Sequence, residues 1–131
     1  MNHIPIKTLG KFELTQVLGA GSMGTVYLGD DPFSGRQVAI KVAHSDAMAS
    51  DSEKNRARKL FFNEAKVAGM LKHPNIVEVF EVFESDEYLH LVMQRSWGGT
   101  LANMLKRERR LSPRVAATLL KQLLRALVYL H

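Results

Sequence analysis

The sequence has no cysteine. Disulfides and thiolate metal sites are therefore excluded, and the composition fits a reducing compartment. No apolar run is long enough to span a bilayer. The opening residues, Met1-Asn2-His3-Ile4-Pro5, carry no apolar signal core. These features together predict a cytoplasmic chain with no membrane segment inside it. Internal repeats and low-complexity tracts are also missing. The net charge is +5, and much of the excess lies in Lys106-Arg107-Glu108-Arg109-Arg110. No aromatic residue interleaves those charges to stack on bases. The stretch reads as a solvated connection between helices, and no nucleic-acid partner is expected.

What is present is the composition of one modest globular domain, with 131 residues, 46% hydrophobic and 24% charged. Its organising stretch runs from Leu18 to Lys41. It opens Leu18-Gly19-Ala20-Gly21-Ser22-Met23-Gly24-Thr25-Val26, the pattern G-x-G-x-x-G-x-V. Glycines at those places let main-chain N–H groups approach a polyphosphate with no Cβ in the way. A Rossmann dinucleotide site has the same glycines, but its third glycine opens a helix. Here Thr25-Val26-Tyr27-Leu28 follows, a β-branched and aromatic run that reads as a strand. Asp31-Pro32-Phe33-Ser34-Gly35 is a turn signal, and Gln37 to Val42 is strand-like again. The glycines therefore belong to a loop between antiparallel strands. Along the third strand Val38, Ile40 and Val42 face one way, and Ala39, Lys41 and Ala43 the other. A small residue that can roof a flat base thus shares a face with a lysine that can reach phosphates. On a strand standing alone, Lys41 would read as an ordinary surface lysine; the glycine loop upstream changes that reading.

The remaining chain is read in order. Residues 1–11 form a lead-in, and a first strand starts at Phe12. His44 to Ala49 is a polar connector. Ser50-Asp51-Ser52-Glu53 is a capping box that opens a helix reaching about Lys72. The helix's apolar stripe is Ala57, Leu60, Phe61, Val67, Ala68 and Leu71, at helical spacing. Glu64 falls within that stripe. It either reaches solvent at the stripe's edge or faces inward toward a cation, for which Lys41 is the obvious partner. His73-Pro74-Asn75 stops the helix. Two strands follow, Ile76 to Phe83 and Tyr88 to Met93, joined by Glu84-Ser85-Asp86-Glu87. His73 and His90 lack acidic or histidine neighbours at ligand spacing, so both read as ordinary histidines rather than metal ligands. Residues 94–99 connect to a short helix from Thr100 to Leu105. Ser112 and Pro113 then start a last helix as N-cap and first helical residue. Its apolar face is very broad, running from Val115 to Leu130, and an exposed face of that kind predicts either self-association or a mobile segment over residues 112–131.

The order is glycine loop, Val-Ala-Ile-Lys, helix with a glutamate, His-Pro-Asn, a strand ending Leu-Val-Met, then Gly-Gly. It resembles the N-terminal lobe of eukaryotic-like (Hanks-type) Ser/Thr protein kinases, with wording at residues 21–27 close to the bacterial branch. The resemblance covers Phe12 to His131. It implies an α+β fold: a protein-kinase-like N-lobe with a five-stranded antiparallel sheet plus one helix (12–93), a hinge (94–99), and two helices of a truncated helical C-lobe (100–131). By the same resemblance Gly19, Gly21 and Gly24 cover the phosphates of ATP, and Leu18, Ala20, Ser22, Met23 and Thr25 belong to the same cofactor-binding segment. Val26 and Ala39 sandwich the adenine. Lys41 holds the α- and β-phosphates and is positioned by Glu64. Met93 stands as gatekeeper, the main chain of Gln94 and Ser96 meets the adenine edge, and Thr100 lies near the ribose.

Two departures are small. Gln94 replaces a common glutamate, and Ala68 is smaller than the residue kinases often place there. The large departure is that the family's catalytic loop, its Asp-Phe-Gly magnesium site and its activation segment are not among these residues. ATP is the implied cofactor, and the Mg²⁺ of a complete kinase would find its ligands outside this chain. Protein substrates are implied for the complete enzyme, and no metal ligand is assigned here. The 131 residues are expected to bind ATP and not to transfer phosphate by themselves. The competing readings are a non-catalytic nucleotide- or partner-binding module and a gene remnant.

Overall fold

The computed structural model describes residues 8–21, 24–44, 50–85 and 88–131. They belong to two compact units, one running to Leu71 and resuming over Glu78–Arg95, the other comprising Lys72–Val77 and Ser96–His131.

In the first unit the strands are β1 (Thr8–Leu9), β2 (Phe12–Gly21), β3 (Gly24–Asp30), β4 (Gln37–His44), β5 (Val79–Glu84) and β6 (Tyr88–Gln94), with helix α1 (Asp51–Met70) between β4 and β5. They make one six-stranded antiparallel sheet in the order β1-β2-β3-β4-β6-β5. The alternation expected on β4 is present: Val38, Ile40 and Val42 are wholly buried, and Lys41 and Ala43 are half-buried on the other face. Those three join Leu9, Phe12, Leu14, Tyr27 and Val92 in a single apolar core. Burying each such side chain contributes about 1.5–3 kcal/mol.

The sixth strand is a correction. Thr8 and Leu9 lie in the expected lead-in, yet they pair with Glu13 and Phe12 of β2. Leu9 is the reason, because its side chain is 7% exposed and anchors the segment in the core. Gly10 turns the chain at φ 56°, and a Cβ there would touch the Phe83 ring of β5 at 3.7 Å. From the same turn Lys11 reaches Glu81 of β5 at 3.9 Å and Asp31 at 4.0 Å. The sheet therefore curls, bringing its first hairpin over its last strand. At the β3–β4 turn the Asp31 carboxylate accepts the Phe33 N–H at 3.0 Å, and Gly35 closes the turn at φ 70°. That N–H bond holds the Asp31 carboxyl below its usual range.

Helix α1 begins as its sequence predicts. The Glu53 N–H donates to Ser50 Oγ at 3.3 Å, and the Ser50 N–H donates to Glu53 Oε2 at 2.7 Å. Its packing face keeps Phe61 and Ala68 of the expected stripe but is turned away from Leu60 and Val67. Ala65 is buried and Phe61, Phe62 and Ala68 are half-buried, whereas Leu60 and Val67 are exposed. The helix packs on β5 and β6. There Arg58 pairs with Glu84 and lies over the Phe62 ring, which meets Phe61 edge-on at 6.2 Å. A face of two rings and two alanines allows close approach, with the Arg58–Glu84 pair at its exposed edge. Counting apolar residues alone also admits Leu60 and Val67, because it ignores the strands.

In the second unit lie α2 (Leu101–Glu108) and α3 (Pro113–Leu130). Thr100 caps α2 by accepting the Asn103 N–H at 3.1 Å, and Ser112 caps α3 by accepting the Val115 N–H at 3.3 Å. The His-Pro-Asn segment docks on α3. The Lys72 N–H donates to the Tyr129 hydroxyl at 2.9 Å, Asn75 Nδ2 donates to the Gln122 carbonyl at 3.0 Å, and the His73 and Tyr129 rings lie 5.1 Å apart. Much of the apolar face of α3 is exposed, including Leu120, Leu123, Leu127 and Val128.

The observed rotation of α1 sets a test by urea unfolding of the 131-residue chain. Ala65→Leu overpacks the face against β5 and β6 and is expected to cost about 1–3 kcal/mol. Leu60→Ala, on the exposed side, is expected to change stability by about 0.5 kcal/mol or less.

Candidate functional site

The register of the sheet assembles the site. Val26 of β3 stands opposite Lys41 of β4, and Leu28 opposite Ala39. Across the other edge of β4, Lys41 faces Leu91 and Ala39 faces Met93 of β6. Directly opposed residues share a sheet face. So Val26, Leu28, Ala39, Lys41, Leu91 and Met93 line one surface, with the apolar core on the other side. Leu28 and Leu91 were not among the expected site residues. Period-2 counting from Val26 and from Met93 would have found them.

The glycine loop extends this surface. The β2–β3 ladder continues to its tip, pairing Gly19 with Val26, Ala20 with Thr25 and Gly21 with Gly24. A register shift between Val17 and Gly19 falls at Leu18, which is 43% exposed. Ser22 and Met23, expected at the tip, lie outside the described residues. The three glycines are not equivalent. A Cβ on Gly24, whose φ is +143°, would stand 2.1 Å from the Val42 carbonyl oxygen. That glycine is required by the fold, because the hairpin rests directly on β4. A Cβ on Gly19 or Gly21 would meet nothing within 4 Å. The described protein atoms give no reason for glycine at those two places.

Lys41 is half-buried on the site face, and Glu64 is exposed on α1. Among the described residues no ion pair joins them. The inward glutamate is thus not seen: Glu64 lies on the solvent side that also carries Leu60 and Val67, a consequence of the rotation of α1. Gln94 ends β6, donating its N–H to the Glu78 carbonyl at 2.8 Å and accepting the Glu78 N–H on its side-chain oxygen at 3.2 Å. Any contact of the Gln94 main chain with a ligand therefore falls to its carbonyl. Ser96 and Thr100 belong to the second unit, where both are exposed and the Thr100 hydroxyl is engaged as the α2 cap. Gly98 and Gly99, expected at the hinge, have φ of 90° and 83°, a backbone that glycine adopts without strain.

His73 and His90 have structural settings. His73 Nδ1 accepts the Asn75 N–H at 3.1 Å, and His90 is buried in the sheet. Among the described residues no three His, Cys, Asp or Glu side chains gather to hold a metal ion, and no helix is long and apolar enough to cross a membrane.

Comparison with known proteins bears on this geometry. Residues 12–131 match a family model described as the protein kinase domain. The chain is 34% identical over 122 residues to the serine/threonine-protein kinase PrkC of Bacillus subtilis, covering 93% of this chain and 18% of that protein. It is 33% identical over 120 residues to the serine/threonine-protein kinase cds1 of Schizosaccharomyces pombe, covering 92% and 26%. With the serine/threonine-protein kinase PAK mbt of Drosophila melanogaster the identity is 39% over 114 residues, covering 87% and 17%. The chain thus spans between 17% and 26% of the length of these relatives.

The inequality of the glycines is testable without any ligand. Gly24→Ala forces a Cβ into the β4 main chain and is expected to cost about 3 kcal/mol or more, combining strain with overpacking. Gly19→Ala and Gly21→Ala are expected to stay within about 1 kcal/mol of the parent, with either sign. Chemical denaturation of the three variants reads the difference.

Proposed function

The chain belongs to the protein kinase family, and on that premise we propose that these residues are the ATP-binding portion of a cytoplasmic serine/threonine kinase. The parent reaction would transfer the γ-phosphate of ATP to a protein hydroxyl. One observation carries the ATP assignment: Gly19 and Gly21, which the fold does not need, lie on the same hairpin and sheet face as Lys41. Main-chain N–H groups bare of Cβ atoms suit phosphate oxygens, and an ammonium beside them supplies the opposite charge. Ala39 is 7% exposed, small and flat on that face, and suits the face of a purine. Val26, Leu28 and Met93 extend the apolar surface on which a base would lie.

The residues present fit the nucleotide better than they fit its metal. Magnesium neutralises developing charge on the phosphates in this family, and among the described residues no three His, Cys, Asp or Glu side chains gather to hold it. Four of the thirteen carboxylates are committed to structure. Asp31 takes the Phe33 N–H, Glu53 caps α1, Glu81 pairs with Lys11, and Glu84 pairs with Arg58. None of those four is placed to orient an attacking hydroxyl. Phosphoryl transfer depends on positioning and electrostatic stabilisation. These residues supply positioning for the nucleotide alone.

The purified 131-residue chain is therefore expected to bind ATP weakly and to transfer no γ-phosphate. The test incubates it with magnesium, ATP labelled on the γ-phosphate and a generic basic protein, beside a Lys41→Met control. Binding is followed separately by calorimetry. Gly21→Ala and Lys41→Met should each weaken binding about tenfold or more while the chain stays folded, the loss expected for one charge-assisted contact. Transfer that Lys41→Met abolishes would refute the non-catalytic assignment, and binding unchanged by both variants would refute the site.

A further inference from the structure

His90 sits on β6 with 0% exposure, and among the described residues neither ring nitrogen meets a partner in normal hydrogen-bond geometry. Its ring stacks on Phe83 at 4.4 Å and lies 6.1 Å from the Tyr88 ring. Across the ladders it opposes Val42 of β4 and Phe83 of β5. An apolar ring would fill the same space without two unpaired polar atoms, each of which costs stability when buried. Histidine is therefore not the best filler for this place. What it adds is a proton site.

Among the described residues no charged side chain compensates that proton, and only the Phe83 main chain favours it. On β4 the described side chains of this face are Val38, Ile40 and Val42, all apolar. On its own strand the neighbours on the same face are Val92 and Tyr88, the latter a phenol. On β5 the charged group of this face is Glu81, and in the β1–β2 turn it is Lys11. Those two pair with each other at 3.9 Å, with Asp31 4.0 Å from the same lysine. Helix α1 lies on the opposite face, where Arg58 meets Glu84. Among the described residues no carboxylate pairs with the imidazole.

We propose that His90 is a proton-operated latch in the sheet. Neutral, it fills the inner face between β4 and β5. Protonated, it cannot stay there unpaired, and it leaves for water by parting β5 and the first hairpin from the inner face. Because α1 packs on β5 and β6, the helix loosens with them. The β4–β6 ladder is affected as well, since Val42 opposes His90 and the adjacent Lys41 opposes Leu91. The sheet would thus disarm its own lysine at low pH. That last step rests on the nucleotide reading; the loosening does not.

The sign follows from burial. An unfolded histidine titrates near its ordinary value of about 6.5. In the fold, burial pushes the His90 imidazole lower, with the Phe83 main chain pulling the other way. The stability that His90 permits is therefore complete above about pH 6.5. It is lost below that, by up to about tenfold in the folding constant per pH unit until the folded pKa is reached.

The experiment is urea unfolding of the 131-residue chain and its His90→Phe variant at pH 7.5, 6.5 and 5.5, without nucleotide. The parent is expected to lose several-fold more of its folding constant than the variant between pH 6.5 and 5.5. Parallel losses in the two proteins would overturn the latch. Should His90→Phe not fold, the parent alone decides by NMR. The His90 ring is expected to stay neutral below pH 6 while amide exchange along β5 and β6 accelerates on acidification. A ring that titrates near 6.5 in an intact sheet, or β5 exchange independent of pH after correction for the intrinsic rate, would overturn the proposal. Neither readout requires ATP to bind, so failure of the latch and failure of the nucleotide reading are separable.

Discussion

Complete burial of Val38, Ile40 and Val42 is the constraint on which the rest depends. Strand side chains alternate, so fixing three of them in the core fixes Ala39 and Lys41 on the opposite face. A slip of one residue would bury the lysine and expose the valines. The cost of burying an unpaired ammonium makes that register inaccessible. Hydrophobic packing thus aims Lys41, and it does so without any ion pair to Glu64.

The same strand positions the glycine hairpin. Gly24 comes so close to the Val42 carbonyl that only a residue without a Cβ can stand there. The valine that anchors β4 in the core therefore also backs the start of β3 at Gly24. On its other side Val42 opposes His90. Core packing, loop placement and the buried imidazole all meet at this one residue. The polar exception in the core sits beside the residue that holds the site together, so a proton there has consequences for the site.

Much of this was legible in the sequence. The alternation Val38-Ala39-Ile40-Lys41-Val42 is a local signal, and it gave the two faces of β4 correctly. So did the caps at Ser50 and Ser112, because N-cap chemistry is decided within one turn. The spacing of the glycines identified the hairpin. The less legible features depend on partners far along the chain. Leu9 becomes a strand residue only because Phe12 and the core receive it. The face that α1 turns to β5 and β6, with Ala65 buried on it, depends on those strands and is not visible in the helix's own apolar count. His90 read as an ordinary histidine because burial without partners is a property of the assembled sheet. The different demands on Gly19, Gly21 and Gly24 also appear only once β4 lies beneath the loop.

The central claim is that one face of this sheet, and not the other, receives a nucleotide. Nitrogen-15 NMR of the 131-residue chain titrated with magnesium and ATP tests it most directly. The main perturbations are expected on Gly19, Gly21, Val26, Ala39, Lys41 and Met93. Smaller ones should fall on Phe12, Leu14 and Val92, whose side chains lie on the core side. Perturbations concentrated elsewhere, or no saturable shift at millimolar ATP, would contradict it.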